Sequence, residues 1–290
     1  MKELQKSDLQ PGDILIFENQ DFSFTEFYSL TPSIWNWNDQ EKWMPAAFYL
    51  LLYMIPWFDP GDDPKNYKNI YHAAIWGDVN VNRDEKSAPA EYDDRIIQAG
   101  PDGIVQDDLE STLTGHGVKN IYVYRHKNAG AKMHQKINDA TRSFYDDTAI
   151  PYSYETAWLL AVICSLRYTD GALYEMLQEK LGTKLATIMV GVIQELINQY
   201  NEDHQREMVA CSTLVAMIYK DAGFALDFKP LEKDQPVAVP ANLSLDPMKL
   251  RLEEKEPEVP KVGIKETVVT PRQLAESPDV VEVGFFPFKG

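Results

Sequence analysis

Short apolar and β-branched runs, bordered by turn residues, punctuate the first part of this chain, and from Ala131 the apolar positions recur at helical spacing. The runs predict strands at Asp13–Phe17 (DILIF, after the Pro11-Gly12 turn), Ile70–Trp76, Arg95–Ala99, Gly103–Gln106 and Asn120–Tyr124, which fit an antiparallel sheet. The periodic part predicts helices over Ala131–Asp146, Tyr154–Tyr168, Ala172–Leu181, Leu185–Tyr200 and Cys211–Ala222, the last closed by Gly223 as a C-cap. Residues 21–58 are aromatic-rich and read as helical in their second half, and turn-rich or polar loops flank the second strand. In the tail, EEKEPE reads as a solvated loop, whereas Thr270 is placed to cap a helix that begins at Pro271. An antiparallel sheet packed on helices makes the fold class α+β.

Residues 1–226 read as one domain with helical insertions at about 20–68 and 156–205. The segment 227–290 holds nine of the 18 prolines and reads as an irregular arm packed on the same domain. The uncharged run Trp43–Phe58 has sixteen residues, short of the roughly 20 that span a bilayer, and Pro45 and Pro56 bracket it. It reads as a buried or subunit-facing helix, which would allow a homodimer, with an interfacial helix or lid over an apolar substrate as the alternative.

Charge narrows the partners. The net charge of −17 argues against a nucleic-acid-binding surface, which needs clustered Lys and Arg, and against docking on anionic membranes by charge alone. Residues 59–110 hold thirteen Asp and Glu against five Lys and Arg, a solvated acidic surface or guidance for a cationic substrate. The opening MKELQKSDLQ lacks the apolar core of a signal peptide, so the chain reads as cytoplasmic.

The two cysteines lie 47 residues apart, too few for a disulfide scaffold and without C-x-x-C spacing. Cys164 sits mid-helix in an apolar run and belongs to the core. Cys211 opens a helix whose Leu214, Val215, Ile218 and Tyr219 keep helical spacing, so its sulfur meets unpaired N–H groups and the positive end of the helix dipole. Both favour the thiolate, the nucleophilic form; a buried, inert cysteine is the bland alternative. A thiolate needs an imidazole, and His72 is the histidine fixed inside a strand, beside the small Ala73 and Ala74 that let another element pack close. Gln98, on the next strand, offers an amide oxygen that can hold one imidazole tautomer. The histidines lack metal-ligand spacing, so neither metal nor cofactor is expected.

These segments, in this order, resemble the circularly permuted branch of the NlpC-type papain-like cysteine hydrolases, the YiiX/YebB-like group related to lecithin:retinol acyltransferase. LQPGDILIF is similar to the opening strand of that group, YHAAIWGD to its histidine strand, and RIIQAGPDGIVQDDL to the hairpin with the third polar residue. AIPYSYETAW is similar to the segment before the nucleophile, ACSTLVAMIYKDAGF to the cysteine helix, and VTPRQLAESPDVVEV to the terminal motif. The likeness covers most of 8–226 and 267–283, with poor matching across 20–68 and 156–205. It implies a permuted papain-like fold and a cysteine hydrolase, amidase, peptidase or acyltransferase. Cys211 would be the nucleophile, His72 the base and Gln98 the orienter, with Tyr152 or Tyr154 as oxyanion donor. The substrate would be a peptide, another amide or a lipid-acyl ester. Relatives often carry an acid where Gln98 stands, and a neutral amide stabilises an imidazolium less. Thr213 and Ala149-Ile150 also depart from the pattern. The rival reading is a catalytically silent scaffold that binds a partner through its aromatic-rich helical insertion.

Overall fold

The computed structural model describes residues 1–30, 46, 49–50, 52–57, 59, 68–78, 95–100, 103–114, 117–146, 170–183, 186, 211–228 and 269–289. The chain divides into two compact units, one of Met1–Cys164, Glu207–Pro230 and Thr267–Gly290, the other of Ser165–Arg206 and Leu231–Glu266. The helices expected at Tyr154–Tyr168 and Leu185–Tyr200 and the EEKEPE loop lie outside the described residues.

The first unit is α+β. Six strands, β1 (Ile14–Asn19), β2 (Ile70–Gly77), β3 (Arg95–Gly100), β4 (Gly103–Asp107), β5 (Val118–His126) and β6 (Val280–Pro287), form one antiparallel sheet in the order β4-β3-β2-β1-β5-β6. Among the described residues its helices include α1 (Phe24–Leu30), α2 (Leu109–Leu113), α3 (Ala131–Asp146), α5 (Cys211–Asp221) and α6 (Pro271–Ala275), with residues 52–57 also helical; α4 (Asp170–Leu181) belongs to the second unit. There α4 buries Leu177 and Leu181 and ends at Gly182, whose amide donates to the Gln178 carbonyl.

Every residue of β1 is buried, because the strand is central and covered on both faces; that is why DILIF is a continuous apolar run rather than an alternating one. The register pairs Leu15 with Ala74 and Phe17 with His72, so these residues share a face. Leu15, Phe17 and Ala74 pack with Trp76, Ile96, Ile121 and Val123 against Leu109 and Leu113 of α2. The intervening residues Ile14, Ile16, Ala73, Ile75 and Ile97 are also buried, and α3 and α5 pack on β2.

Two polar devices pin the sheet. Arg125, late in β5, reaches back to the start of β1 and donates through Nε and Nη2 to the two carboxylate oxygens of Asp13, each at 2.7 Å. Tyr219 of α5 donates its hydroxyl to the Gly12 carbonyl beside it. Helix α5 closes at Gly223, as the sequence predicts: its φ is +81°, and the Phe224 amide returns to the Tyr219 carbonyl.

The tail departs from an irregular arm in its described part. Thr270 caps α6 in a capping box with Gln273, as expected, but VVEVGFFP then adds a sixth strand to the sheet edge. Gly284 is required there by close approach, since a Cβ would stand 2.4 Å from the Lys2 carbonyl oxygen. Of Trp43–Phe58, the described Ala46, Leu50, Tyr53, Met54 and Ile55 are buried within the chain, in line with the buried-helix reading. Among the described residues no helix is long and apolar enough to cross a membrane.

Candidate active site

Cys211 is the first residue of α5, as the apolar spacing predicts, and is about nine-tenths buried. Leu214, Val215, Ile218 and Tyr219 turn inward and seat the helix against the sheet, which brings its N-terminal end to β2. The small Ala73 and Ala74 permit that approach: both are fully buried, and the Ala73 backbone hydrogen-bonds to the Cys211 sulfur.

The thiol is hydrogen-bonded to His72 and to the backbone of Ala73 and Ser212. Burial is the largest influence on it and pushes its pKa up. The positive charge of His72 and these hydrogen bonds outweigh burial, leaving the thiol below its ordinary value. For His72 the balance is the mirror image. Burial opposes the charged ring, but the Cys211 charge, the hydrogen bonds to Cys211 and Gln98 and the charge of Asp107 raise its pKa. The two shifts agree in sense: the charged form of each group is favoured by the other.

Gln98 completes the line. His72 Nε2 and Gln98 Oε1 are 2.7 Å apart, and Gln98 Nε2 donates to Asp107 Oδ2. A carboxylate only accepts, so the amide nitrogen must face Asp107 and the amide oxygen must face His72. The ring therefore carries its proton on Nε2, and Nδ1 is the nitrogen left for Cys211. Phe17 packs edge-on against the imidazole, with ring centroids 5.0 Å apart. Beside the ring opens a cleft of about 310 Å3, lined by His72, Gln98 and Asp107 together with Phe17, Tyr71 and the α2 residues Ser111 and Thr112.

The structure thus brings Cys211, His72 and Gln98 together. Tyr152 and Tyr154 lie outside the described residues, as do Cys164, His116 and His204. Asp107 escapes a residue-by-residue reading, although the hairpin contains its signal. The β3–β4 register pairs Gly100 with Gly103 and Gln98 with Val105, which sets Asp107 on the same face one diagonal step away. Tyr71, which precedes His72, is a second neighbour: burial and the Cys211 charge both raise its pKa, so its hydroxyl stays protonated.

The tail braces this arrangement. Ser212 donates to the Val269 carbonyl at 2.5 Å, and the Val269 amide donates to Thr213 Oγ1 at 3.4 Å. Three residues on, Arg272 donates to the carbonyls of Asp59 (2.7 Å) and Lys68 (3.0 Å), while Thr270 donates to the Asp59 carboxylate at 2.5 Å. Residues 269–272 therefore tie helix α5 to the backbone that leads into β2. Asp59 and Asp78 are buried, so at least these two acids of the 59–110 segment are not part of a solvated surface.

His126 packs on the Tyr219 and Phe224 rings, accepts the Asn128 amide and has its pKa lowered by burial; it is part of the core. Among the described residues no group of three or more His, Cys, Asp or Glu is placed to hold a metal ion.

No family model matches the chain, and no curated protein matches it. Among solved structures it is similar to the metalloprotein yiiX from Escherichia coli O157:H7, DUF1105, at 13% identity over 95% of this chain and 96% of that one, with a TM-score of 0.39. A likeness of that degree carries no functional argument, which rests on the side chains described above.

Proposed function

We propose that the chain is a cysteine-dependent hydrolase or acyltransferase, acting on an amide or ester through a thioacyl intermediate, on a circularly permuted papain-like scaffold. The observation that carries the reading is the line of thiol, imidazole and amide. In it burial is outweighed at both titrating ends, with the thiol pulled down and the imidazole pushed up.

The Cys211 thiolate attacks the substrate carbonyl, and the charge developing on oxygen meets the Cys211 amide at the helix start. Tyr71, Tyr152 and Tyr154 are the side-chain candidates for a second donor. As the tetrahedral adduct collapses, His72 gives its proton to the leaving amine or alkoxide, and the acyl group stays on sulfur. Water, or an acceptor alcohol or amine, then attacks the thioester while His72 takes its proton, and Cys211 departs as thiolate. Gln98 holds the ring through both halves. The substrate is a peptide, another amide or a lipid-acyl ester.

The test is to challenge the protein with activated amides and acyl esters and to follow acylation by intact mass. Wild type should gain the acyl mass on Cys211, and Cys211→Ala and His72→Ala should lose turnover with the fold intact. Wild-type turnover by Cys211→Ala would overturn the reading.

One observation favours a second reading, a binding protein on the same scaffold. Phe22 contacts Phe24, Phe27, Tyr49, Tyr53 and Trp57, and beside it Phe24 and Tyr28 stack at 6.2 Å while 45% and 57% exposed. Exposed stacked rings suit a partner surface. An ordinary, unreactive Cys211 thiol would move the balance to that reading.

A further inference from the structure

We propose that Asp107 is a positioning residue for the thiol–imidazole pair: it sets which way round the Gln98 amide sits, and so which nitrogen of His72 faces Cys211. The inference rests on the reading of Cys211 and His72 as nucleophile and base, and adds to them a residue that touches neither.

The two ends of the Gln98 amide are alike in shape and opposite in hydrogen bonding. Turned as it is, the amide oxygen accepts from Nε2–H, and the ring can take a second proton at Nδ1 from the thiol. Turned over, the amide would present N–H to Nε2, which could then only accept. The imidazolium, which has a proton on both nitrogens, would meet a donor with a donor and be disfavoured. Nothing in Gln98 itself chooses between the two. Asp107 chooses, because its carboxylate accepts from Gln98 Nε2 and cannot donate. Its negative charge acts in the same direction, since it favours the charged ring.

Asp107 is held for this task on both sides. It is the last residue of β4, in register with Ile96, and Asp108 next to it caps α2 by accepting the Glu110 and Ser111 amides. The capping role therefore falls to Asp108 and leaves the Asp107 carboxylate to Gln98. The neighbouring groups do not compete for it: the hydroxyls of Ser111 and Thr112 donate to the Asp108 carbonyl, at 2.9 and 2.8 Å. The nearby charges of Arg95 and Lys6 act on Asp108. On the far side of the relay, His72 is faced by Cys211, with Tyr71 neutral beside them.

The test is the alkylation rate of Cys211 by iodoacetamide against pH in three proteins: wild type, Asp107→Ala, and the double variant Gln98→Glu with Asp107→Asn. The double variant moves the carboxylate to position 98, where it accepts from both His72 and the new amide, so the relay is complete again. At about pH 6, where an ordinary thiol of pKa about 8.5 is nearly all protonated, Asp107→Ala should label on the order of tenfold more slowly than wild type. The deficit should close above about pH 9, where the thiol ionises unaided, and the double variant should recover to within about threefold of wild type. The inference is overturned if Asp107→Ala matches wild type at the lower pH, if it is slowed equally at every pH, or if the double variant is no faster. An ordinary thiol in wild type would instead defeat the functional reading itself.

Discussion

The hydroxyl of Ser212 and the carbonyl oxygen of Val269 lie 2.5 Å apart, so the residue next to the thiol is tied to a segment 57 positions later in the chain. The same segment, through Arg272, holds the Lys68 carbonyl four residues before His72. The separation of Cys211 and His72 is thus set partly by a third element that supplies neither residue. Ser212→Ala leaves the buried Val269 carbonyl without its donor and should cost about 1–3 kcal/mol of stability, measured by urea unfolding. A change within a few tenths would show that the tie is idle.

A larger loss is expected at the other end of the sheet. Asp13 is only 1% exposed and meets both arms of the Arg125 fork. Replacing Arg125 by Leu strands that carboxylate in the core, where removal of one partner of a buried pair costs about 3–5 kcal/mol. The double change Asp13→Asn with Arg125→Leu should recover part of the loss, because the uncompensated charge is gone. Equal losses in the single and double variants would contradict a paired charge at this position.

The titration of His72 carries a sign that can be checked directly. Its raised pKa favours the fold at pH below the ordinary histidine value of about 6.5, and that contribution is lost as the pH rises through the raised value. Cys211→Ser removes the charge at position 211, a leading cause of the rise, and leaves burial, the largest influence and a lowering one, opposed by hydrogen bonding and the charge of Asp107. His72 of the variant should therefore titrate at lower pH than in wild type, followed by the ring-proton NMR shifts. Titration at the same or a higher pH would mean that no negative charge on sulfur faces the ring.

Much of this arrangement is legible in the residues, and the exceptions have physical reasons. The central strands read clearly because both of their faces are covered, which makes DILIF and the end of IYHAAIW continuous apolar runs. Helix α3 is amphipathic and falls at Ala131–Asp146, the span its periodicity predicts. Strand β6 is hidden by its setting: Gly284 and Pro287 interrupt it, and a proline-rich stretch precedes it. Helix α2 has only five residues, too few to show a period. In the site, Cys211 is visible as a helix start and His72 as a strand residue, both from apolar spacing. Asp107 is not, because its role arises from hairpin register and from the flip of a neighbouring amide, neither of which alters the pattern of its own segment. The tie from Ser212 to Val269 leaves no local trace, being made between distant parts of the chain.

The central claim is that His72 keeps the buried thiol of Cys211 ionised, and the most direct measurement is the iodoacetamide labelling rate of Cys211 against pH in wild type and His72→Ala. Without the imidazolium, burial, the largest influence on the thiol, is opposed only by the backbone of Ala73 and Ser212. Wild type should label rapidly down to about pH 6, and His72→Ala should be on the order of tenfold slower there and catch up only above the ordinary thiol value of about 8.5. Two superimposable profiles, both rising near that ordinary value, would contradict the account and leave Cys211 a structural cysteine.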